Sequence, residues 1–145
     1  DHDVYELQDL EDDIDNLAVA VTMSGLASVE EIESLGYNIK RYGNVLSNYP
    51  IFTELGDYIS KLGLNLSKNA QLLLDDKERM SNITTLIEGF VNDLIIWRKE
   101  IFDNNIADHR FLNDSFFSNV DTIIMFIEYD ESATDNESFD DDMFF

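Results

Sequence analysis

Two histidines and 31 acidic residues are the side chains of this 145-residue chain best suited to acid–base or metal chemistry. His2 is next to the first residue, and His109 stands between Asp108 and Arg110, where neighbours of both charge signs favour a solvated loop. Metal sites that carboxylates bridge in helical bundles use Glu-x-x-His pairs on facing helices, and no such pair occurs in the sequence. We therefore expect no metal-binding residue.

The residues needed for nucleophilic or cofactor chemistry are also missing. The chain has no cysteine, which excludes a thiolate nucleophile and a zinc–thiolate site. No serine has a histidine in a plausible position as its base, and the sequence has no glycine-rich phosphate loop. The sequence therefore predicts no catalytic residue and no cofactor-binding residue, in a protein that is not an enzyme and uses no cofactor.

The net charge of −22 is concentrated at the two ends of the chain. Residues 1–16 and 128–145 each hold eight acidic residues and no basic one, whereas residues 17–127 hold all nine basic residues. Nucleic-acid phosphates and anionic membrane surfaces repel so negative a chain, and no apolar run approaches the ~20 residues that span a bilayer. We expect a cytoplasmic protein whose partner is neither a nucleic acid nor a membrane.

Apolar residues recur at alternating steps of three and four along five stretches of the chain. This spacing is typical of helices that pack nearly parallel or antiparallel. It predicts an all-α fold over residues 1–128, an up-and-down antiparallel helical bundle of four long helices plus a fifth. The run 122–127 is short enough to be a strand, but its apolar residues also fit one face of the fifth helix. The five stretches are Leu7–Val21, Val29–Leu46, Phe52–Leu73, Met80–Ile101 and Phe117–Ile127.

The boundaries between these helices are marked by capping residues and by the single proline. Ser28 and Glu31 have the spacing of a capping box, which predicts the start of the second helix. Pro50 ends the second helix and opens the third, because it disfavours helical geometry in the residue before it and is tolerated in a first turn. Asp75 or Asp76 can cap the start of the fourth helix.

The third and fourth stretches share one heptad phase, which only Asn69 and Asp76 interrupt. A single helix over residues 51–103 would be far longer than globular helices usually are. We therefore expect a turn between about 74 and 80. One continuous helix is the alternative, and it would favour a coiled-coil homodimer.

Four glycines lie inside predicted helices, where each costs about 1 kcal/mol relative to alanine. Gly36 and Gly43 are symmetric with Gly63 and Gly56 about the turn at Pro50. In an antiparallel helical hairpin, Gly43 would lie level with Gly56, and Gly36 with Gly63. The pairs would then allow the two backbones to approach closely; an outer face or a docking groove for a partner are the alternatives.

Residues 129–145 form an acidic tail, which we expect to bind a partner through its last seven residues. The tail resembles the acidic, hydrophobic peptides by which single-stranded-DNA-binding proteins and chemotaxis phosphatases dock on partners. The pairs Lys40–Arg41 and Arg98–Lys99 are the basic spots on the body that could receive it. The expected partner-binding residues are Phe139, Asp140, Asp141, Asp142, Met143, Phe144 and Phe145.

An acidic, cysteine-free bundle of amphipathic helices resembles the histidine phosphotransfer and kinase-dimerisation modules of bacterial two-component signalling. Phosphotransfer domains carry a His-x-x-Lys-Gly motif, and the nearest match here is Tyr37-Asn38-Ile39-Lys40-Arg41, which lacks the phosphoacceptor histidine. The resemblance implies a non-enzymatic interaction module of a larger signalling protein, with a receiver domain as a possible partner. A phosphotransfer or phosphatase domain and a coiled-coil dimerisation domain are the alternatives.

Overall fold

The computed structural model describes residues 2–24, 28–103 and 110–128. These residues form helices joined by short turns, and no strand occurs among them, so the predicted all-α bundle is confirmed. The run 122–127 is helical. The acidic tail and His109 lie outside the described residues. The helices are α1 (His2–Ser24), α2 (Val29–Ser47), a 3₁₀ turn (Pro50–Phe52), α3 (Thr53–Lys68), α4 (Ala70–Leu74), α5 (Lys77–Arg98), a π turn (Lys99–Asp103) and α6 (Arg110–Glu128).

The five long helices close into a ring in the spatial order α1, α2, α3, α6, α5. Helix α6 therefore lies between α3 and α5, and α5 packs on α1. Because five is an odd number, the neighbours in this closed ring cannot all be antiparallel. If the other neighbours are antiparallel, one pair must be parallel. That pair is α3 and α6, since Tyr58 in the first half of α3 packs edge-on against Phe117 in the first half of α6, with ring centroids 4.8 Å apart.

The core occupies the centre of this ring, and the predicted apolar faces supply it. On α5 the predicted face is buried from Met80 to Trp97, whereas Ile101 lies in the π turn beyond α5 and is only partly buried. The Trp97 ring lies at one end of the core and makes edge contacts with Phe52, at 5.0 Å, and with Phe116, at 5.9 Å. The indole of α5 thus contacts both α6 and the 3₁₀ turn that precedes α3. Among the described residues, no helix combines the length and the hydropathy needed to cross a bilayer.

The predicted helix boundaries are confirmed at two starts. The Ser28 hydroxyl accepts a hydrogen bond from the Glu31 amide at 3.2 Å, and the Glu31 carboxylate accepts one from the Ser28 amide at 2.9 Å, which completes the capping box. Asp76 caps α5 by accepting from the Arg79 amide at 3.1 Å. Because α5 begins at Lys77, the predicted turn is present, and the alternative of one helix over 51–103 is wrong.

One break was not predicted. Helix α3 ends at Lys68, and Asn69 separates it from the short helix α4. The Asn69 side chain donates to the Asn65 carbonyl oxygen at 2.8 Å, which satisfies a carbonyl at the end of α3. The Asn69 amide also donates to this oxygen, at 3.2 Å, so the side chain adds a second hydrogen bond at the point where α3 ends. Asparagine is among the residues whose side chains bond nearby backbone groups and so disfavour helix interiors.

The glycine pairs lie where α2 and α3 approach most closely, as the sequence predicts. A Cβ atom added at Gly36 would stand 2.6 Å from the Gly63 carbonyl oxygen, and one added at Gly56 would stand 2.5 Å from the Gly43 carbonyl oxygen. The two pairs face each other across an antiparallel hairpin. Close backbone approach is therefore the role of these glycines.

Candidate functional site

A groove of about 390 Å³ runs between the start of α5 and the end of α6. The two helices are antiparallel here, so the first turns of α5 face the last turns of α6. Helix α6 gives the groove its apolar floor through Met125 and Phe126. Polar and charged groups of α5 form the opposite wall. The lining residues are Asp76, Glu78, Arg79, Asn82, Thr122, Met125 and Phe126.

Met125 and Phe126 are two adjacent exposed apolar side chains of α6. Met125 is 72% exposed and Phe126 is 38% exposed. The inward stripe of α6 is formed instead by Val120, Ile123 and Ile127, which are buried. Because residues three and four apart share a helix face, Met125 and Phe126 both lie beside Thr122 and present one continuous surface. The interior of the bundle does not use this surface.

The charged wall of the groove is ordered by a local ion pair. The Arg79 Nε atom lies 3.3 Å from an Asp76 carboxylate oxygen, and the Arg79 side chain is only 12% exposed. Asp76 also caps the helix, so one carboxylate fixes both the start of α5 and the guanidinium beside it. Glu78 is exposed in the same first turn of α5. The groove therefore has an apolar floor and a rim that carries both charge signs.

A second groove, also of about 390 Å³, lies between α1 and α2 and is strongly acidic. Its one basic residue, Arg41, pairs with Glu6 at 3.0 Å, and the Arg41 side chain is 47% exposed. The Tyr5 ring at its edge is 66% exposed. The lining residues are Tyr5, Glu6, Asp9, Leu10, Asp13 and Arg41. Within the described ranges, no group of acids and histidines could hold a metal ion.

A buried polar cluster, not foreseen from the sequence, joins three helices. Glu11 of α1 is 4% exposed and Arg98 of α5 is 2% exposed. The Arg98 Nε and Nη2 atoms donate to the two Glu11 carboxylate oxygens at 2.6 and 3.0 Å. The Tyr42 hydroxyl of α2 donates to Glu11 Oε2 at 2.8 Å. The carboxylate therefore accepts three hydrogen bonds and carries a paired charge.

The cluster raises the pKa of its tyrosine, Tyr42. Burial, then the nearby Glu11 carboxylate and the hydrogen bond to it, raise the pKa of Tyr42 well above its ordinary value, while the Arg98 charge acts in the opposite direction. A tyrosine is already neutral at physiological pH, and the raised pKa extends the pH range over which the Tyr42 hydroxyl donates to Glu11. Neither of the two grooves described above is lined by Glu11, Tyr42 or Arg98, and the cluster joins α1, α2 and α5.

This cluster corrects one expectation about the tail. Arg98–Lys99 was expected to be a basic surface spot, but Arg98 is buried and bonded to Glu11. In the other expected spot, Arg41 is paired with Glu6. The physical reason is the helical phase: Arg98 follows Leu94 by four residues and Val91 by seven, so it continues the buried face of α5. Arg98 is therefore not available at the surface, whereas Lys99 and Arg41 are exposed.

The same phase argument could have found Glu11. It follows Leu7 by four residues and precedes Ile14 by three, and both neighbours are buried. A carboxylate at such a position points to a buried partner, but the sequence does not say that the partner is 87 residues away. The Met125–Phe126 surface was missed because the sequence was used only to identify the inward apolar face of α6. Met125 and Phe126 were not assigned to any face.

The remaining predicted site residues have separate outcomes. The partner-binding residues Phe139–Phe145 lie outside the described residues, so their role stays a prediction. Tyr37, which stands where the phosphotransfer motif has its histidine, is 57% exposed on α2. Phosphotransfer likewise stays a prediction. No protein-family model, curated protein or solved structure matches this chain.

Proposed function

We propose that this chain is a non-enzymatic interaction module of a larger signalling protein and that it docks on another protein domain through the α5–α6 groove. The observation that carries the proposal is the adjacent exposure of Met125 and Phe126 in a groove with a charged rim. Protein interfaces commonly combine an apolar centre with a polar rim, and methionine and aromatic residues are enriched in them. Methionine also adapts to differently shaped partners.

The charge of the chain indicates the chemistry of that partner. With a net charge of −22, the protein attracts basic surfaces and speeds its association with them. A groove between two helices suits an amphipathic helix that places apolar anchors at steps of three and four residues. We therefore propose a partner segment that is helical, apolar on one face and rich in lysine or arginine on its flanks. A receiver domain is the class of partner that the signalling resemblance suggests.

The proposal favours docking over coiled-coil dimerisation because the heptad seam is already used within one chain. Leu55, Ile59, Leu62 and Leu66 of α3 are buried in the bundle's own core. A coiled-coil dimer would need such a seam at its surface. Two copies that each carry −22 charges also repel each other at low salt.

The test uses a probe of stated chemistry, a helical peptide with leucines on one face and lysines on the other. Binding is measured by calorimetry and by the methyl signals of the methionines in an isotope-labelled full chain. We expect the Met125 signal to shift and the Met125→Ser/Phe126→Ser double variant to bind at least about tenfold more weakly, as loss of central interface anchors does. Equal binding by parent and double variant would overturn the proposal.

Two controls make the result specific to the groove. Ile96→Ser changes an apolar side chain that is 51% exposed on the same helix α5 but outside the groove, and it should leave binding unchanged. A peptide of the same pattern with glutamates in place of lysines should bind more weakly than the lysine peptide. The same measurements on purified receiver domains then test the proposed class of partner.

A further inference from the structure

We infer that the chain's own acidic tail, residues 129–145, occupies the α5–α6 groove through its apolar residues and that a partner must displace it. The inference rests on the proposed function because it concerns the same groove. Helix α6 lines the groove with Thr122, Met125 and Phe126 and ends at Glu128, two residues further along. Residue 129 thus follows the last groove residue of α6, Phe126, by three residues.

The length of the tail is sufficient for this contact. Phe139 follows Glu128 by 11 residues, and an extended chain of that length spans up to about 36 Å. The groove residues of α6 begin six residues before Glu128, about 9 Å back along the helix axis. The spacer can thus turn back and place its apolar residues over Met125 and Phe126 without stretching.

The composition of the tail supplies matching apolar groups. The spacer 129–138 is mainly polar, whereas Phe139, Met143, Phe144 and Phe145 are the large apolar residues beyond it. Burial of an exposed phenylalanine or methionine is favourable by about 1.5–3 kcal/mol each when it is complete. A tethered segment also has an effective concentration in the millimolar range. Even partial burial is then enough to cover the groove in an isolated molecule.

The distribution of charge selects this groove over the other one. The α5–α6 groove is lined by two carboxylates, those of Asp76 and Glu78, and by Arg79, which is paired with Asp76. The α1–α2 groove holds three carboxylates and a single guanidinium, which is already paired with one of them. An acidic tail is therefore repelled less at the α5–α6 groove, and its aromatic residues find exposed apolar surface there.

The inference also explains how an acidic tail and a basic partner can use one groove. A partner helix would displace the tail's phenylalanines from Met125 and Phe126. The freed carboxylates of Asp140, Asp141 and Asp142 would then lie close to the partner's basic flanks, where they add attraction. The predicted partner-binding residues thus act twice, first on the groove and then on the partner.

The test places a nitroxide label beside the tail's apolar residues in the full chain. The natural sequence has no cysteine, so Ser138→Cys gives one labelling position. The methyl signal of Met125 reports proximity through paramagnetic broadening. We expect the Met125 signal to lose most of its intensity, and to recover it when Phe139, Met143, Phe144 and Phe145 are changed to serine. An equally strong loss in both chains would mean that tethering alone brings the label close, and it would overturn the inference.

Two further measurements distinguish an apolar contact within one chain from a contact made by the tail's charges and from a tail supplied by a second copy. Asp140, Asp141 and Asp142→Asn, with the apolar residues kept, should preserve the broadening because the contact is apolar. In a mixture of spin-labelled chains with isotope-labelled chains that carry no label, Met125 should remain sharp. Broadening in that mixture would mean that a second copy supplies the tail, which would overturn docking within one chain.

Peptide affinity distinguishes a failure of this inference from a failure of the proposed function. If the tail covers the groove nine-tenths of the time, the serine-substituted chain binds the lysine-rich peptide about tenfold more tightly than the parent. Equal affinity in both chains overturns the inference and leaves the proposed function intact. Absence of binding in both chains, with Met125 broadened as expected, overturns the proposed function alone.

Discussion

The guanidinium of Arg98 lies against the carboxylate of Glu11 in a two-point contact, with N–O distances of 2.6 and 3.0 Å, across 87 residues of sequence. Both side chains are less than 5% exposed. The contact joins α1 to α5, and the Tyr42 hydroxyl adds α2 to the same carboxylate. A buried ion pair adds little net stability over apolar residues of the same size, but the loss of one partner is costly because the other charge remains buried.

Arg98→Met should therefore destabilise the fold strongly. Glu11 would remain inside the bundle with only the Tyr42 hydroxyl to bond it. We expect a loss of about 3–5 kcal/mol in the free energy of unfolding, measured by urea denaturation with circular dichroism. The double change Glu11→Leu/Arg98→Met removes both charges and should be closer to the parent than the single variant. If the double variant were the less stable of the two, the ion pair itself would be the source of the stability.

Gly43→Ala should destabilise the protein, although alanine favours helices. The added Cβ would collide with the Gly56 carbonyl oxygen and with Ser60, and backbone atoms on both helices cannot move independently. Gly89→Ala is the matched control, since Gly89 is exposed on α5 and an added Cβ there meets nothing within 4 Å. The control should gain up to about 1 kcal/mol. Thermal melts of both variants check the prediction, and a Gly43→Ala protein as stable as the control would contradict it.

Phe90→Ala should cost about 3–5 kcal/mol. The Phe90 side chain is 2% exposed and packs edge-on against Phe116, with ring centroids 5.7 Å apart. Phe126→Ala is the comparison, because Phe126 is 38% exposed and faces the groove. It should cost much less in the same urea titration. Similar losses in the two variants would place Phe126 in the core and weaken its assignment to a docking surface.

Stability should decline in alkali between about pH 10 and pH 12. Burial, then the hydrogen bond to Asp3, raise the pKa of Tyr49 to about 12, whereas a tyrosine in the unfolded chain titrates near 10. The unfolded state therefore loses its proton first, and the stability that is fully present below about pH 10 is lost as the pH rises. The raised pKa of Tyr42 acts in the same direction, so Tyr49→Phe should make this decline shallower, without removing it, in urea titrations at several pH values. The same slope in the variant would assign the decline to other groups.

Helix type, helix ends and most of the core could be derived from the sequence because they depend on neighbours three and four residues apart. The stripe from Met80 to Trp97, the capping box at Ser28 and the glycine symmetry about Pro50 are all of this kind. Each follows from the 3.6-residue period or from local hydrogen bonds. Asn69 and Asp76 both interrupt the apolar seam, and the capping residues Asp75 and Asp76 favoured a single turn at the second position, so the break at Asn69 was not predicted.

The arrangement of the helices around the ring was decided only in the tertiary structure. Periodicity states which face of α5 is buried, but not that α1 covers it or that α6 stands between α3 and α5. For the same reason, periodicity can assign Arg98 to the buried face of α5 but cannot identify Glu11 as its partner. The candidate site depends on the same decision: Met125 and Phe126 are left exposed because α6 turns its aliphatic stripe inward and meets α5 along a wall of charged residues. Which charges meet, and which apolar residues remain uncovered, depend on contacts between distant segments that no local pattern encodes.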